Sequence, residues 1–541
     1  MKINKFLTYT VASALTLAAG SMMTGCTDNF GELNTNKYEV DPDNLPFESQ
    51  FVEPITYVYA PQQNMFQFWT NLSTDLFSGY FMTPHNFGGN GNVDYKLNRG
   101  FCGGMYENFN LHIFNNTRRL IKTCDEKGLV DYAAIMRVVQ VYALSTMTDT
   151  YGPVAYQSVL EGNDVSFYYD SQESIYNAMF ALLDEAITGF KNGTSDVANM
   201  QQFDYWCQGN RELWVKVANQ FKLRLAMRIV KANPGLAKQK AEEAVSGGVL
   251  TSADKDILID QGLSNELTRM FEWGDCGVNA NLVTILEGYN DPRIALYITK
   301  NTNDIKVGDN VVVAKDSKYL GIRGGCNLPN KPNQWGNFSN IVCTYSTPMP
   351  VMKAAESYFL RAEGALRGWN MGGNAKDLYE EGIRLSIKNE LKYKGVYAGV
   401  TSVSDEEIDA YINGTTLPAD FVDPVDAQNS IKAMNTVPVK WDEGASNEQK
   451  LQRIITQKWI ANFPLSTEAW AEYRRTGYPE LYPCIDNLSP SGVDSKRGMR
   501  RLRFPYTEVQ NNHSNYQQGV SYLKNGGPDN EATDLSWGKT N

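Results

Sequence analysis

The chain has 541 residues, of which 42% are hydrophobic and 12% aromatic, and its formal net charge is −11 at pH 7. This composition is typical of a globular chain that can bury a large core. The negative charge argues against a nucleic-acid partner, because phosphates need a basic surface, and against charge-driven contact with acidic lipid headgroups. Neutral or cationic ligands fit the charge better.

The first 25 residues have the order of a secretory signal peptide. Lys2 and Lys5 precede an apolar run over residues 6–19, and small residues lead into Met23-Thr24-Gly25-Cys26. The run is too short to span a bilayer, which takes about 20 apolar residues. A cysteine in this place resembles a bacterial lipobox, so we predict lipidation at Cys26 and permanent tethering through several acyl chains. An ordinary signal peptide with a cysteine nearby is the alternative.

The remaining chain is predicted to contain one tether and one domain. Residues 26–46 are polar and rich in Asn and Asp, which indicates a lipidated tether that leads away from the membrane. We predict a single α-helical domain over residues 47–541. No segment after Cys26 is expected to span a membrane.

The cysteines do not indicate a disulfide framework. Seven remain after Cys26, and they contain no CxxC pair, so a zinc site or a thioredoxin-like motif is not indicated either. We expect buried free thiols, with a loop bridge between Cys326 and Cys343 as the alternative.

After the tether, segments with helical apolar periodicity alternate with loops rich in Gly, Asn and Pro. The predicted helices, in order, are Tyr106–Lys122, Val130–Met147, Ser171–Phe190, Arg211–Lys231, Leu236–Ser246, Val351–Trp369, Ala375–Leu391, Glu448–Asn462 and Thr467–Arg475. The fourth and fifth form a close pair, as do the sixth and seventh and the last two. The first two of these pairs resemble tetratricopeptide units, with generic helix pairs as the alternative. Such pairs must stack into a solenoid to bury their apolar faces.

Two long stretches do not follow the helical pattern. Residues 62–104 are dense in Asn, Gly and aromatics, and residues 274–347 contain a hairpin-like run at Ile305–Val313, followed by Lys318–Ile322. Long irregular loops in a compact protein are usually functional. The predicted fold class is mainly α, with tetratricopeptide-like helix pairs forming a solenoid scaffold, long irregular loops and a small β-hairpin element.

Four motifs follow Cys26 in order along the chain. They are Phe30–Asn36 (FGELNTN), Thr148–Tyr156 (TDTYGPVAY), the Arg-Ala-Glu helix within Ala354–Glu363, and a C-terminal series at Gln457–Ala461, Glu468–Pro479 and Arg501–Tyr506. Together they resemble the SusD/RagB family of Bacteroidetes outer-membrane nutrient-binding lipoproteins, in particular its SusD-like second subgroup. The resemblance covers nearly the whole chain.

The resemblance implies a helical fold with tetratricopeptide-like pairs on one side and irregular loops on the other. It also implies a lipoprotein of the outer membrane that faces the cell surface. Such a protein closes like a lid over a SusC-like TonB-dependent transporter and hands it oligomeric nutrients, usually glycans.

The motif residues themselves are predicted to be structural. We expect Glu472, Arg474 and Arg475 to join a buried Arg–Glu network near a helix end, rather than to contact ligand. Gly152-Pro153 is expected to stop a helix.

Nothing in the sequence indicates catalysis, a metal or a cofactor. The three histidines, His85, His112 and His513, are far apart, and no HExxH, GxSxG or phosphate-binding glycine loop is present. Acidic pairs that could serve a glycosidase are too abundant to single one out. Residues 41–44 and 304–309 offer oxygen atoms for Ca²⁺ but lack EF-hand spacing, so solvated turns are expected there.

The irregular stretches supply the predicted ligand-binding residues. Sugar sites combine flat aromatic rings with short polar side chains that bond hydroxyl groups. The candidates are Trp69, Asp75, Tyr80, Trp273, Arg323, Trp335 and Asn337. Trp273 and Trp335 lead, because they lie in Gly/Asn-rich loops. For Trp69 the alternative is a buried helical stripe between Met65 and Leu76, and any loop aromatic could instead pack its own loop onto the solenoid.

The leading functional hypothesis is non-catalytic capture of oligosaccharides and their delivery to the transporter. Three alternatives stay open: the same import role with peptide ligands, a tetratricopeptide-type envelope assembly scaffold, and a hydrolase. Loop aromatics with Asn favour a sugar, whereas free strand edges along a groove would favour a peptide. A scaffold would contact its partner on the concave helical face.

Cys26→Ser removes the thiol that would carry the acyl chains, so we predict that the variant leaves the membrane. The measurement is the share of the protein that sediments with membranes after cell fractionation. Thr27→Ser keeps the cysteine and should remain in the membrane fraction. Retention of the Cys26→Ser variant there would contradict the anchor.

Overall fold

A computed structural model describes residues 45–87, 92–162, 167–331 and 333–540. The predicted signal peptide, Cys26, the first motif and most of the tether lie outside these residues. Contacts divide the chain into two units, Met1–Gln50 and Phe51–Asn541.

The second unit is mainly helical over its described residues. The longer α-helices are α1 (Asn115–Lys127), α2 (Val130–Tyr151), α3 (Gln172–Asn192), α4 (Arg211–Arg228), α5 (Pro234–Gly247), α6 (Ala280–Tyr289), α7 (Ala354–Leu366), α8 (Ala375–Ala398), α9 (Asn447–Ala461) and α10 (Ser466–Thr476). Shorter ones cover Val52–Thr56, Gln63–Phe66, Asp75–Phe77, Gly104–Asn108, Gln157–Glu161, Val197–Gln201, Glu266–Glu272, Ile294–Tyr297, Asp405–Ile412, Tyr506–Asn511 and His513–Ser521. Gln67–Thr74 and Phe109–Phe114 are π-helical.

Neighbouring helices along the chain pack against each other. This holds for α1 with α2, α2 with α3, α4 with α5, and α7 with α8. The last two are the pairs that the sequence suggested as tetratricopeptide-like units. The prediction of a mainly helical fold built on helix pairs is confirmed. Helix α9 packs more closely on α7 than on its sequence neighbour α10.

Strands are short and form four antiparallel pairs in the described residues. They are β1 (Phe81–Met82) with β3 (Gly277–Val278), β2 (Ile257–Ile259) with β8 (Met349–Met352), β4 (Ile298–Asn301) with β7 (Ser339–Ile341), and β5 (Ile305–Val307) with β6 (Asn310–Val313). The predicted hairpin is confirmed within Ile305–Val313. The segment Lys318–Ile322 adds no strand to it, and only Ile322 forms a bridge, to Asn279.

Two boundaries differ from the sequence prediction for physical reasons. The stretch at residues 62–104 begins with a helical run over residues 63–77, because Trp69, Leu72 and Leu76 form one buried stripe. Residues predicted to begin a helix at Val351 instead form β8, since they pair with β2, and α7 begins only at Ala354.

A network of buried charges joins five helices. It consists of Asp149 on α2, Arg224 and Arg228 on α4, Glu356 and Glu363 on α7, Lys458 on α9, and Glu468, Glu472 and Arg475 on α10. No side chain in it is more than 10% exposed. Arg228 bonds Asp149 at 3.1 Å, Glu468 at 2.5 Å and also Glu472. The predicted buried network around Glu472 and Arg475 is confirmed.

Opposite charges decide the ionisation of the network. Burial by itself would raise the pKa of Glu356, but Arg224 and Lys458 outweigh burial and lower that pKa to about 2. The pKa of Glu472 is held well below its usual range in the same way, chiefly by Arg475 and Lys458. These carboxylates therefore stay charged inside the core.

Arg474 departs from the prediction. It donates to the backbone carbonyls of Trp470 and Arg500, at 3.2 and 3.0 Å, and its guanidinium lies 3.5 Å from the centre of the Trp470 ring. Arg474 was predicted to pair with a carboxylate in the buried network. Backbone carbonyls and the face of an aromatic ring stabilise its charge instead.

The remaining structural predictions concern the helix stop, the cysteines and the membrane. Helix α2 ends at Tyr151, and Gly152 follows with φ 91°, as predicted. All seven cysteines after Cys26 are free thiols, so the alternative of a Cys326–Cys343 bridge is wrong. In the part of the chain that is described, no helix has the length and apolarity needed to cross a membrane.

Arg228→Met leaves three buried carboxylates without their shared cation, so we expect the free energy of unfolding to fall by about 3–5 kcal/mol. Urea unfolding followed by circular dichroism measures the change. Lys432→Met is the matched control: the Lys432 side chain is 90% exposed in its ion pair with Asp420, and its loss should leave stability unchanged. Equal stability of both variants would contradict a structural role for the network.

Candidate functional site

A polar cluster built on Asp275 lies among the irregular loops. Antiparallel pairing of β1 with β3 brings the residues after β1 beside the residues before β3. Asp275 thereby accepts hydrogen bonds from Gln67 Nε2 at 2.8 Å and from His85 Nε2 at 3.0 Å, and it forms an ion pair with Lys331. Lys331 Nζ also donates to the backbone carbonyl of Trp273 at 2.7 Å. We call these five residues the Asp275 cluster.

The cluster presents one ring to solvent. Trp273 is 37% exposed and follows the short helix Glu266–Glu272, where Gly274 takes a left-handed conformation with φ 68° and turns the chain. The Lys331 side chain beside it is 43% exposed. Asp275 is buried beneath them and fixes the loops that carry both.

Electrostatically the Asp275 cluster is balanced. Burial by itself would raise the pKa of Asp275, but the hydrogen bonds from His85 and Lys331 outweigh it and lower the pKa. The carboxylate is therefore ionised, and the charge of Lys331 compensates it. A surface with paired charges suits an uncharged ligand.

A strip of aromatic rings extends from the Asp275 cluster. Phe87 lies 5.5 Å from His85 and 6.2 Å from Phe101, and Phe101 stacks on Phe68 at 5.0 Å, measured between ring centres. Phe68 is 36% exposed. Its neighbour in the chain, Gln67, bonds Asp275, so the exposed rings of Phe68 and Trp273 belong to one connected set of contacts.

Trp335 and Arg323 meet at a second polar centre. Trp335 is 8% exposed and donates its indole N–H to Asp423 at 3.2 Å. Asn429 Nδ2 bonds the same carboxylate oxygen at 2.7 Å, and its backbone carbonyl accepts from Arg323 at 3.0 Å. Trp335 and Arg323 therefore hold loops together with most of their surface covered.

The loop that carries Trp335 connects the two centres. Asn333 donates to the carbonyl of Pro84 at 2.7 Å, one residue before His85, and Lys331 lies two residues earlier in the same loop. Asn337 ends the turn, and its backbone carbonyl accepts the N–H of Thr302 at 2.9 Å.

Trp69, Asp75 and Tyr80 lie in the core. Tyr80 is fully buried and donates its hydroxyl to the carbonyl of Trp459. Trp69 is 3% exposed and packs edge-on against Phe109 at 4.7 Å. This burial matches the alternative of a helical stripe for Trp69. Three of the seven predicted ligand residues are therefore not brought to the surface where Trp273 lies.

Trp69 and Asp75 do line a narrow pocket. It has a volume of about 90 Å³, and its walls include Tyr142 and Leu225 as well as Arg224 and Glu468 of the buried network. This is well below the roughly 300 Å³ at which ligand pockets begin, so the pocket is too small for a sugar chain.

The residues that position Trp273 are not among the seven candidate ligand residues, although Asp275 and His85 belong to the polar residues that the two irregular stretches offer. Lys331, Gln67 and Asp275 are far apart in the sequence. The turn signal Pro329-Asn330-Lys331-Pro332 was visible, but it does not say which carboxylate the lysine meets. In the described ranges, no group of three or more His, Cys, Asp or Glu side chains could hold a metal ion.

A family model matches most of the chain. The SusD-like model, described as "Susd and RagB outer membrane lipoprotein", matches residues 29–538. No curated protein sequence matches the chain.

Solved structures share both fold and sequence with the chain. A chitin-binding SusD homologue from Flavobacterium johnsoniae is 35% identical, with a TM-score of 0.82, over 91% of this chain and 99% of that one. A SusD-like protein from Bacteroides thetaiotaomicron VPI-5482 is 33% identical, with a TM-score of 0.80, over 91% and 98%. A SusD homologue from Bacteroides uniformis ATCC 8492 is 34% identical, with a TM-score of 0.80, over 91% and 99%.

Asp75→Asn should change how stability depends on pH. Burial, only partly offset by a hydrogen bond from Ser466, raises the pKa of Asp75 to about 7. Between about pH 4 and 7 the folded chain therefore holds a proton on Asp75, whereas the unfolded chain, in which the pKa is about 3.9, has released it. The free energy of unfolding accordingly falls as pH rises from about 4 to 7, because folding then requires either uptake of this proton or burial of the charge. Asparagine carries no charge to bury, so the variant is expected to be more stable than the wild type above pH 7 and to lose that advantage near pH 4.

Urea unfolding at a series of pH values measures the difference. Asp260→Asn, at an exposed aspartate, is the control and should run parallel to the wild type. If the stability of Asp75→Asn also followed that of the wild type at every pH, Asp75 would be ionised in the folded chain and the prediction would be wrong.

Proposed function

The chain belongs to the SusD-like family of outer-membrane lipoproteins, and from this membership we propose that it captures oligosaccharides and delivers them to a SusC-like TonB-dependent transporter. The family match supports nutrient binding in general, and a relative described as chitin-binding supports a carbohydrate ligand. The ligand itself, the transporter and the anchor at Cys26 are parts of the proposal.

The exposed ring of Trp273 is the observation that carries the proposed ligand class. A sugar ring offers an apolar C–H face that stacks on an indole, and hydroxyl groups that need polar partners nearby. Lys331 supplies a donor at the backbone carbonyl of Trp273, and His85 and Gln67 bond the Asp275 carboxylate that pairs with this lysine. The paired charges of Lys331 and Asp275 leave no net charge, which suits a neutral saccharide.

The Asp275 cluster supports binding rather than hydrolysis. A glycosidase needs two carboxyl groups that flank the scissile bond, one of them protonated through a raised pKa. The cluster contains one carboxylate, and the pKa of Asp275 is lowered. Both of its oxygens already accept hydrogen bonds from the protein. We therefore propose a non-catalytic role.

Trp273→Ala should weaken saccharide binding at least about tenfold, because losing about 1.4 kcal/mol of apolar contact corresponds to that factor. Isothermal titration with chitin oligosaccharides and with a panel of other neutral oligosaccharides gives the dissociation constants. Tyr522→Ala removes an aromatic ring that is 44% exposed in the C-terminal segment and should leave binding unchanged.

Two outcomes would contradict the proposal. Binding of peptides, with no binding of any saccharide in the panel, would overturn the ligand class and favour the peptide alternative. Saccharide binding that both variants retain at full strength would place the site away from Trp273.

A further inference from the structure

A pocket apart from the Asp275 cluster is large enough to hold a small molecule. Its volume is about 370 Å³, and ligand pockets usually measure roughly 300–1,000 Å³. Its walls come from the helix Gly104–Asn108, the π-helical segment that follows it, the start of α1, and the short helices Gln157–Glu161 and Tyr506–Asn511. We call it the Glu508 pocket. No residue of the Asp275 cluster lines it.

The inner wall of the Glu508 pocket is apolar. Tyr106, Ala155 and Val159 line it with buried side chains, and Leu111, which is 59% exposed, lies at its mouth. The Tyr106 ring packs edge-on against Tyr151, with 5.5 Å between the ring centres, so its position is fixed. A preformed apolar wall of this kind suits one face of a sugar ring, whose C–H groups pack on aromatic and aliphatic side chains.

Two carboxylates line the pocket without a cationic partner. Glu508 is half-buried, and its Oε2 accepts hydrogen bonds from the Tyr169 hydroxyl at 2.8 Å and from Asn512 Nδ2 at 3.0 Å. Glu107 is exposed, and its Oε1 accepts from the Thr507 hydroxyl at 3.0 Å. In the described ranges neither glutamate forms an ion pair. Neutral hydroxyl and amide groups therefore hold both carboxylates in place and leave their charge uncompensated.

Two further polar groups in the wall have unused hydrogen-bonding capacity. Arg118 on α1 donates from Nη1 to the carbonyl of Val159 at 3.0 Å, and among the described residues no carboxylate pairs with its guanidinium. Asn110 donates from Nδ2 to the carbonyl of Tyr106 at 2.9 Å, while its Oδ1 is buried and has no donor. A buried acceptor without a partner is costly, so each such group calls for an explanation. A ligand hydroxyl would supply the donor that Asn110 Oδ1 lacks.

We propose that the Glu508 pocket binds a saccharide unit that carries a free, protonated amino group. The ammonium would pair with Glu508 and Glu107, the hydroxyl groups would bond Arg118 and Asn110, and the C–H face would pack on Tyr106. Two carboxylates against one guanidinium leave a net charge of −1 on the pocket, which one ammonium group compensates. The saccharide class rests on the proposed function, whereas the charge of the ligand follows from the pocket itself.

The chain would thus hold two sites with different charge preferences. The paired charges of the Asp275 cluster suit a neutral saccharide, and the Glu508 pocket suits a cationic one. A disaccharide of glucosamine and its N-acetylated form separate the two, because acetylation removes the charge and keeps the sugar framework. Isothermal titration of the purified full chain with each disaccharide gives the dissociation constants. Since charge drives binding of the glucosamine form, its affinity should fall as the salt concentration rises.

Glu508→Gln and Glu107→Gln remove the charges and keep an oxygen that accepts the bonds from Tyr169 and Thr507. Each should weaken binding of the glucosamine disaccharide at least about tenfold, because hydrogen bonds to charged groups are the stronger ones, and should leave binding of the N-acetylated form unchanged. Trp273→Ala should do the reverse. Glu406→Gln, at an exposed glutamate outside the pocket, is the matched control and should change neither affinity.

Thermal unfolding curves that match the wild type show that each variant is folded. If Glu508→Gln does not fold, Glu107→Gln and Leu111→Lys decide the test, because both positions are exposed. The lysine brings a competing ammonium group to the mouth of the pocket, so it too should weaken binding of the glucosamine disaccharide at least about tenfold.

Three results would overturn the assignment and leave the proposed function standing. The first is an unchanged affinity for the glucosamine disaccharide in the Glu107 and Leu111 variants. The second is loss of that affinity in Trp273→Ala alone, which would place the amine at the Asp275 cluster. The third is tight binding of a dipeptide with a free amino terminus, abolished by Glu107→Gln, with no binding of the glucosamine disaccharide. Failure of the wild type to bind any saccharide would instead overturn the proposed function.

Discussion

Arg228 joins three helices through one guanidinium group, and the helical scaffold depends on that arrangement. It lies on α4 and bonds Asp149 of α2 together with Glu468 and Glu472 of α10. A charge buried without its partners costs several kcal/mol, so any shift of one helix against another would leave charges unpaired. Packing of apolar faces alone tolerates such shifts more easily, because it has no direction. We infer that the network selects one arrangement of the helices.

The loops of the proposed site are held by the same principle on a smaller scale. Asp275 accepts hydrogen bonds from Gln67 and His85 and forms an ion pair with Lys331. These contacts join separate segments of the chain, although little regular structure surrounds Asp275. Directional bonds to one buried carboxylate replace the helix packing that fixes the scaffold. As a result Trp273 is presented on a backbone whose carbonyl is itself bonded, which lowers the entropy lost when a ligand stacks on it.

The fold was largely predictable where one periodic pattern dominated. Helices α2 to α5 and α7 to α10 follow apolar residues at helical spacing, and their predicted ranges differ from the structure mainly at the ends. The helical run over residues 63–77 was predicted only as the alternative for Trp69, because Asn, Gln, Ser and Thr lie between its buried apolar residues and resemble loop composition. The end of strand β8 was predicted to be the start of a helix, because its pairing with β2 joins residues at least ninety positions apart.

The sequence by itself determined the helical class, the family resemblance and the burial of Glu472 and Arg475, and it indicated the stretches from which the proposed site is drawn. It did not determine which aromatic in those stretches meets solvent. Tyr80 and Trp273 both lie among Gly and polar residues, yet the Tyr80 hydroxyl bonds the carbonyl of Trp459, 379 residues away, and the ring is buried. Trp273 is 37% exposed, and Lys331 bonds its backbone carbonyl. The exposure of a side chain depends on which distant segments pack against it. The composition of its own stretch does not identify those segments.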